Sequence, residues 1–371
     1  MSNDVVRVAH VIGKWVGGGV EAVVMNYYKN INHEKIQFDF IFDDDSTNIP
    51  YEEIEKLGGK VILVPPYQKL LKYHKELKKV LEEGNYKIVH SHINTLSVFS
   101  LFAAKRAGIP VRIAHSHSTS NKKEWKKNLL KQVLKPFSKL FATHYFCCTE
   151  HAGEWMFGKK TFSKGEVYVL NNAIDLDRFN YDAKMRQAVR DKLKIPDDTL
   201  VIGHVGRFMK QKNHEYLIDV FDKIHKKNEN SVLLLVGQGP LLEKIKGKVS
   251  RLKLDKNVLF LGQREAVHEL YQAFDLFLFP SLYEGLGMVL IEAQCAGVKC
   301  LCSTEVPQVA RVTENLEYLD LNDNPEVWAT AGLKSIEIYE RKSYVDEISA
   351  CGYNIKEEVK KLEDYYLKCL K

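Results

Sequence analysis

Short runs of β-branched and aromatic residues alternate with helix-length amphipathic segments from one end of this chain to the other. That alternation leaves few folds open. Strands joined by helix-length crossovers run parallel, and a parallel sheet needs helices on both faces. In the first half the pattern predicts strands at Val5–Ile12, Ile36–Phe42, Lys60–Val64, Lys87–Ser91, Val111–Ala114, Tyr145–Cys147 and Val167–Leu170. It restarts with Leu200–Val205, Ser231–Val236, Val258–Leu261, Leu276–Phe279 and Lys299–Cys302. The polar, turn-forming stretch Asn171-Asn172-Ala173-Ile174-Asp175 marks the joint. The reading is an α/β chain of two doubly wound halves, residues 1–175 and 176–350. The last segment, 351–371, has Val359, Leu362, Tyr366 and Leu367 at helical spacing and is expected to pack back on the first half.

Composition removes other classes. With 45% hydrophobic and 27% charged residues among 371, the chain buries a real core and is neither collagenous nor disordered. It has no apolar run long enough to span a bilayer, and Asp4 and Arg7 interrupt the place where a secretory leader would be apolar. A cytoplasmic protein is expected. Seven scattered cysteines supply neither a disulfide framework nor paired zinc ligands and read as buried thiols. The net charge of +6 is uneven. Residues 1–180 carry 26 Lys and Arg against 19 Asp and Glu, so the attraction for anions lies in the first half.

Three segments carry chemistry. After the first strand, Gly17-Gly18-Gly19 leads into a helix, where close backbone approach and free amides suit an anion; many such turns bind nothing. In the second half, Arg207 stands at the end of a parallel strand and Lys212 near the next helix start, a cation pair suited to a diphosphate, or two solvated charges. The segment from Phe279 to Ala293 turns at Gly285-Leu286-Gly287 between Glu284 and Glu292. Eight helical steps rise about 12 Å, too far for the carboxylate pair of a glycosidase. The spacing suits a long ligand whose hydroxyls meet an acid at each end.

Taken together, the two Glu separated by seven residues, the G-R-x-x-x-Q-K-N-H segment, the glycine turn followed by Val-Glu, and the Asn-Asp linker resemble the retaining glycosyltransferases of family four. Ser91–Asn94, Ala114–His117 and Glu292–Gly297 are similar to those of enzymes building bacterial capsules and exopolysaccharides. The resemblance implies the GT-B architecture, two Rossmann-like domains facing a cleft. It implies that Arg207 and Lys212 bind the donor diphosphate, helped by amides near Gly18, Gly19 and Gly285–Gly287. Glu284 would then hold the transferred sugar, Glu292 the ribose, and His115 would lie beside the donor sugar. Ala173 departs from the family's usual Gly, and Val306–Val309 lacks its G-G-x-x-E-x-V run.

The expected activity is transfer of a hexose or N-acetylhexosamine from a nucleotide sugar, uridine-linked, to a saccharide or lipid-linked acceptor. No cofactor is expected, and no essential metal, because the two cations neutralise the leaving diphosphate. His90, His92 and His117 cluster with His115 and read either as acceptor-side groups or as buried polar groups. The Lys-rich amphipathic stretches 69–79 and 122–131 read as an anionic membrane face, giving a peripheral location at the inner membrane surface, or as solvated helix faces. Nothing resembles a nucleic-acid-binding signature. A catalytically silent sugar-nucleotide-binding subunit and a GT-B epimerase are the rival readings, and intact Arg207, Lys212, Glu284 and Glu292 weigh against silence.

Overall fold

The computed structural model describes residues 5–117 and 125–371. It divides into two compact units, one formed by Met1–Ile174 with Gly352–Lys371 and one by Asp175–Cys351.

In the first unit the strands are β1 (Val6–Gly13), β2 (Ile36–Asp43), β3 (Lys60–Val64), β4 (Ile88–Ser91), β5 (Val111–Ser116), β6 (His144–Cys147) and β7 (Val167–Val169). They pair in the order β3-β2-β1-β4-β5-β6-β7, all parallel. The order reverses at β1, and ligands of such sheets gather at the carboxyl ends beside that reversal. Alternation along the strands sorts the core into two faces. Val8, Phe38, Phe40, Phe42, Ile88 and Ile113 face one helical layer, while Ala9, Val11, Ile41 and Val89 face the other.

The helix Ile355–Lys368 closes the first of these faces. Its Val359, Leu362 and Tyr366 are buried in the same cluster as Phe38 and Phe146. Burial of such side chains is worth roughly 1.5–3 kcal/mol each and favours docking of the helix on this face. Asn354 caps it by accepting from the Lys356 amide at 3.1 Å, and Ile174 joins it through a parallel bridge to Asn354.

The second unit repeats the plan with β8 (Leu200–Val205), β9 (Ser231–Val236), β10 (Val258–Gly262), β11 (Leu276–Phe279), β12 (Lys299–Ser303) and β13 (Leu316–Leu319). Their order is β10-β9-β8-β11-β12-β13, again all parallel, with the reversal at β8. Strand β13 is one the sequence pattern does not announce. It has four residues, lies on the sheet edge and alternates Leu316 and Tyr318 with Glu317 and Leu319 rather than forming an apolar run. Five of the seven cysteines are buried free thiols; Cys369 is half-buried and Cys351 exposed. No helix among the described residues is long and apolar enough to cross a membrane.

Candidate active site

At the carboxyl end of β8 the chain passes through Gly206 and Arg207 into a short turn, Lys210–Lys212, before the helix His214–Lys227. Beside β8, the end of β11 continues through Ser281 to Glu284. The two segments are stitched together. Leu282 donates its amide to the Gln211 carbonyl at 2.8 Å, and Gln211 Nε2 donates to the Tyr283 carbonyl and to Glu284 Oε2 at 3.0 and 3.1 Å. The Lys212 ammonium lies 2.7 Å from Glu284 Oε1, with both side chains largely buried, and 4.6 Å from the centre of the Phe279 ring. The lysine and the acid, assigned by resemblance to a diphosphate and a sugar, are therefore one ion pair in this structure. Arg207 is exposed, and its guanidinium has no ion-pair partner among the described residues.

Glycine is required at two points. A Cβ on Gly206 would lie 3.0 Å from His204 Nε2 and 3.2 Å from Lys212 Cγ, so the lysine stem crosses the strand end only because nothing projects there. Gly287 has φ +84° and serves as N-cap of the helix Met288–Cys295 without any side-chain cap. The Leu290 amide donates to the Gly287 carbonyl at 2.8 Å, while Met288 and Val289 have no carbonyl one turn behind them within the helix, which turns the amides beside Gly285–Gly287 towards negative charge. Gly285 is exposed, Leu286 buried.

Glu292 stands one turn further along this helix. Tyr271 donates its hydroxyl to Glu292 Oε2 at 2.8 Å. Burial pushes the Glu292 carboxyl up to about 7, and the Tyr271 hydrogen bond and the charges of Arg178 and Lys212 pull against that rise.

In the first unit the glycine turn after β1 leads into the helix Gly19–Asn30, with Gly18 at the N-cap. The turn already holds an anion of its own. Buried Glu21 accepts from the Val16 amide at 3.0 Å, and its carboxylate fills the space beside Gly18. An incoming phosphate would meet that charge, whereas a sugar hydroxyl would find an acceptor.

His90, His92, His115 and His117 converge at the carboxyl ends of β4 and β5, joined by His10 of β1, which register places directly opposite His90. Two hydrogen-bonded chains result. Tyr366 meets His90 Nδ1 at 2.6 Å and His90 Nε2 meets His115 Nδ1 at 3.0 Å. His10 Nδ1 meets His92 Nε2, and His92 Nδ1 meets His117 Nε2, each at 2.9 Å. Burial drives all five imidazoles towards the neutral form. His115 Nε2 and His117 Nδ1 end the two chains without a hydrogen-bond partner among the described residues. The triads His10, His90, His92 and His92, His115, His117 each bring ligand atoms within 4.8 Å of one another, so metal ligation is within their reach; their hydrogen bonds already give each ring another partner.

The chain's relatives show its family. A family profile described as Glycosyltransferase Family 4 matches residues 17–178, and one described as Glycosyl transferases group 1 matches residues 185–346. EpsF of Bacillus subtilis (strain 168), described as a glycosyltransferase, is 33% identical over 99% of this chain and 97% of its own. The chain belongs to glycosyltransferase family four. The UDP-Gal:alpha-D-GlcNAc-diphosphoundecaprenol alpha-1,3-galactosyltransferase of Escherichia coli is 25% identical to this glycosyltransferase over 98% of the chain and 97% of the relative. Among solved structures, Anabaena HepE in complex with UDP-glucose superposes with a TM-score of 0.80 at 16% identity, covering 98% of this chain and 99% of that one. The two doubly wound sheets are those of the GT-B fold.

Several parts of the glycosyltransferase's site escape sequence reasoning. Gln211 and Tyr271 position the two acids, yet nothing in a single sequence separates them from surface or core residues. Gly237 and Gly239 support the Arg207 loop from beneath; a Cβ on either would strike the backbone of Gly206 or Phe208. Their signal was a G-x-G at the end of a strand. His10 is hidden inside an apolar strand.

Proposed function

We propose that this glycosyltransferase moves a hexose or N-acetylhexosamine from a uridine diphosphate sugar to a saccharide or lipid-linked saccharide, with retention at the anomeric carbon, in building a cell-surface polysaccharide. The observation that carries this reading is the buried Lys212–Glu284 pair beside the Gly285–Gly287 turn at the carboxyl ends of β8 and β11. Relatives support it: the Escherichia coli galactosyltransferase uses a UDP-linked donor and a diphosphoundecaprenol-linked acceptor, and CapH of Staphylococcus aureus is a capsular polysaccharide glycosyltransferase.

The slow event in such a transfer is departure of the diphosphate, which gathers negative charge as the bond to the anomeric carbon breaks. Lys212, Arg207 and the amides at Gly285–Gly287 answer that charge, fixed before the reaction begins. Glu284 holds sugar hydroxyls and Glu292 those of the ribose. The acceptor hydroxyl attacks the face the phosphate leaves, forming the new C–O bond, and a departing phosphate oxygen takes its proton. No side-chain nucleophile is needed, and no divalent metal, since the cations are built in. His115, with Nε2 unpartnered, is free to meet a sugar hydroxyl.

A peripheral location at an anionic membrane face fits the exposed Lys69, Lys72, Lys75 and Lys79. Of the second basic stretch, Lys122 and Lys123 lie outside the described residues, as do the side chains of Lys126 and Lys127.

The test is a panel of uridine diphosphate sugars assayed for UDP release with and without diphosphopolyprenol-linked saccharides, with product anomers read by NMR. Acceptor-dependent release and an unchanged anomer are expected. An inverted product would overturn retention, and no release from any donor would overturn the activity.

A further inference from the structure

The last helix does more than close a face of the first sheet. It carries Tyr366, fully buried, whose hydroxyl lies 2.6 Å from His90 Nδ1 on β4. His90 Nε2 in turn lies 3.0 Å from His115 Nδ1 on β5. There the chain of bonds stops: His115 Nε2 is buried and has no hydrogen-bond partner among the described residues. Phe146 of β6 meets both imidazoles edge-on, with 5.0 and 5.7 Å between ring centres, and packs the two rings in place.

A neutral imidazole has one N–H and one lone pair, so a row of them can run in two directions. Burial keeps both imidazoles neutral and the phenol protonated. In the first direction Tyr366 donates to His90 Nδ1, His90 Nε2 donates to His115 Nδ1, and His115 Nε2 carries the remaining proton. In the second, His115 Nδ1 donates to His90 Nε2, and His90 Nδ1 donates to the Tyr366 oxygen. That arrangement strands the phenol proton, for which no other acceptor is bonded among the described residues, and leaves His115 Nε2 as a bare lone pair. A buried donor left without an acceptor keeps its full desolvation cost, so the first direction prevails.

The neighbouring chain of His10, His92 and His117 makes the contrast. It has no hydroxyl at its root, because His10 Nε2 and His117 Nδ1 are both unpartnered among the described residues. Either direction leaves it with one unpaired N–H and one unpaired lone pair. Hydrogen bonding therefore fixes the tautomer of His115 and not that of His117.

We propose that Tyr366 is a positioning residue: acting through His90, it holds His115 with its proton on Nε2, so that the site offers an N–H donor, not an acceptor, to an oxygen of the bound sugar. This rests on the reading of His115 as a sugar contact and gives that contact its direction.

Two-bond ¹H–¹⁵N spectra of protein labelled in its histidine rings, with His115 assigned by its loss in His115→Gln, read the tautomer without substrate or turnover. The wild-type protein is expected to show Nε2 protonated and Nδ1 bare, and Tyr366→Phe to move the two nitrogens towards an averaged or reversed pair. A wild-type His115 protonated on Nδ1, or a tautomer unmoved by Tyr366→Phe, would overturn the proposal. UDP release from the uridine diphosphate sugar selected by the donor panel gives the second readout. Tyr366→Phe is expected to lower kcat about threefold to tenfold, the worth of one neutral hydrogen bond. In a His115→Gln background, which has no tautomer to set, it is expected to cost nothing further. An equal loss in that background would show that Tyr366 only docks its helix, and would overturn the proposal. Wild-type turnover by His115→Ala alongside the expected spectra would overturn the sugar contact alone, so a fault in that reading is distinguishable from a fault in the tautomer.

Discussion

Replacing Lys212 with Met keeps the stem that crosses Gly206 and removes only the charge. At 2.7 Å and an effective dielectric of about 20, the attraction to Glu284 is roughly 6 kcal/mol before desolvation and ordering are subtracted. Breaking a buried pair by deleting one partner costs about 3–5 kcal/mol, because the survivor stays buried and unpaired. The small remaining exposure of both side chains places this pair near the lower end, about 3 kcal/mol, with Gln211 also bonded to the acid. Adding Glu284→Gln removes the orphaned charge, so the double variant should lose only about 1 kcal/mol, about 2 kcal/mol less than Lys212→Met alone. Turnover should behave differently. A cation lost from the leaving diphosphate costs about 10²–10³ in kcat, and removing the acid as well restores nothing. Guanidinium unfolding followed by circular dichroism gives the first quantity, and UDP release under saturating donor gives the second. Recovery of activity along with stability in the double variant would mean that the pair is structural and that the diphosphate is held elsewhere.

Three further outcomes are expected. Glu292 keeps its proton in the native state up to about 7, whereas its ordinary value is 4.5, so stability from this group declines as pH rises through that window. Across the same upper limb the ionised carboxylate becomes able to accept both ribose hydroxyls, and donor KM should fall; Glu292→Gln should flatten both profiles, and a wild-type KM independent of pH would refute the ribose assignment. Gly206→Ala forces a Cβ against His204 and the Lys212 stem, and should cost about 1–3 kcal/mol and a disproportionate share of kcat, measured by urea unfolding and steady-state kinetics. Exhaustive dialysis against EDTA should leave UDP release unchanged; a loss restored by a divalent ion would overturn charge neutralisation by Lys212 and Arg207.

The sheets were legible because parallel strands buried on both faces read as continuous apolar runs. Leu200–Val205, Ser231–Val236 and Leu276–Phe279 need no adjustment between pattern and structure. Where burial is one-sided the signal fades, as at β13. The site was legible residue by residue but not in its pairings. That Lys212 bonds to Glu284 across 72 positions, or that His10 stacks beside His92, follows from sheet order and register, which local spacing does not encode. Glu21 illustrates the same limit. In the sequence it is one half of the Val-Glu that follows the glycine turn, and only its fold back onto Val16 shows that the turn carries its own carboxylate.

The helix Ile355–Lys368 belongs to the unit that begins the chain, and this orders events during synthesis. The stretch between Ile174 and Gly352 must leave the ribosome before Tyr366 can reach His90, a delay of roughly 10–35 s at about 5–20 residues per second. Throughout that interval the groove awaiting Val359 and Leu362 lies open, greasy and unguarded, while the inserted unit has everything it needs to mature. A nascent chain stalled before residue 355 would therefore present a finished second unit hanging from an incomplete first one, and that exposed groove is where a holding chaperone would bind.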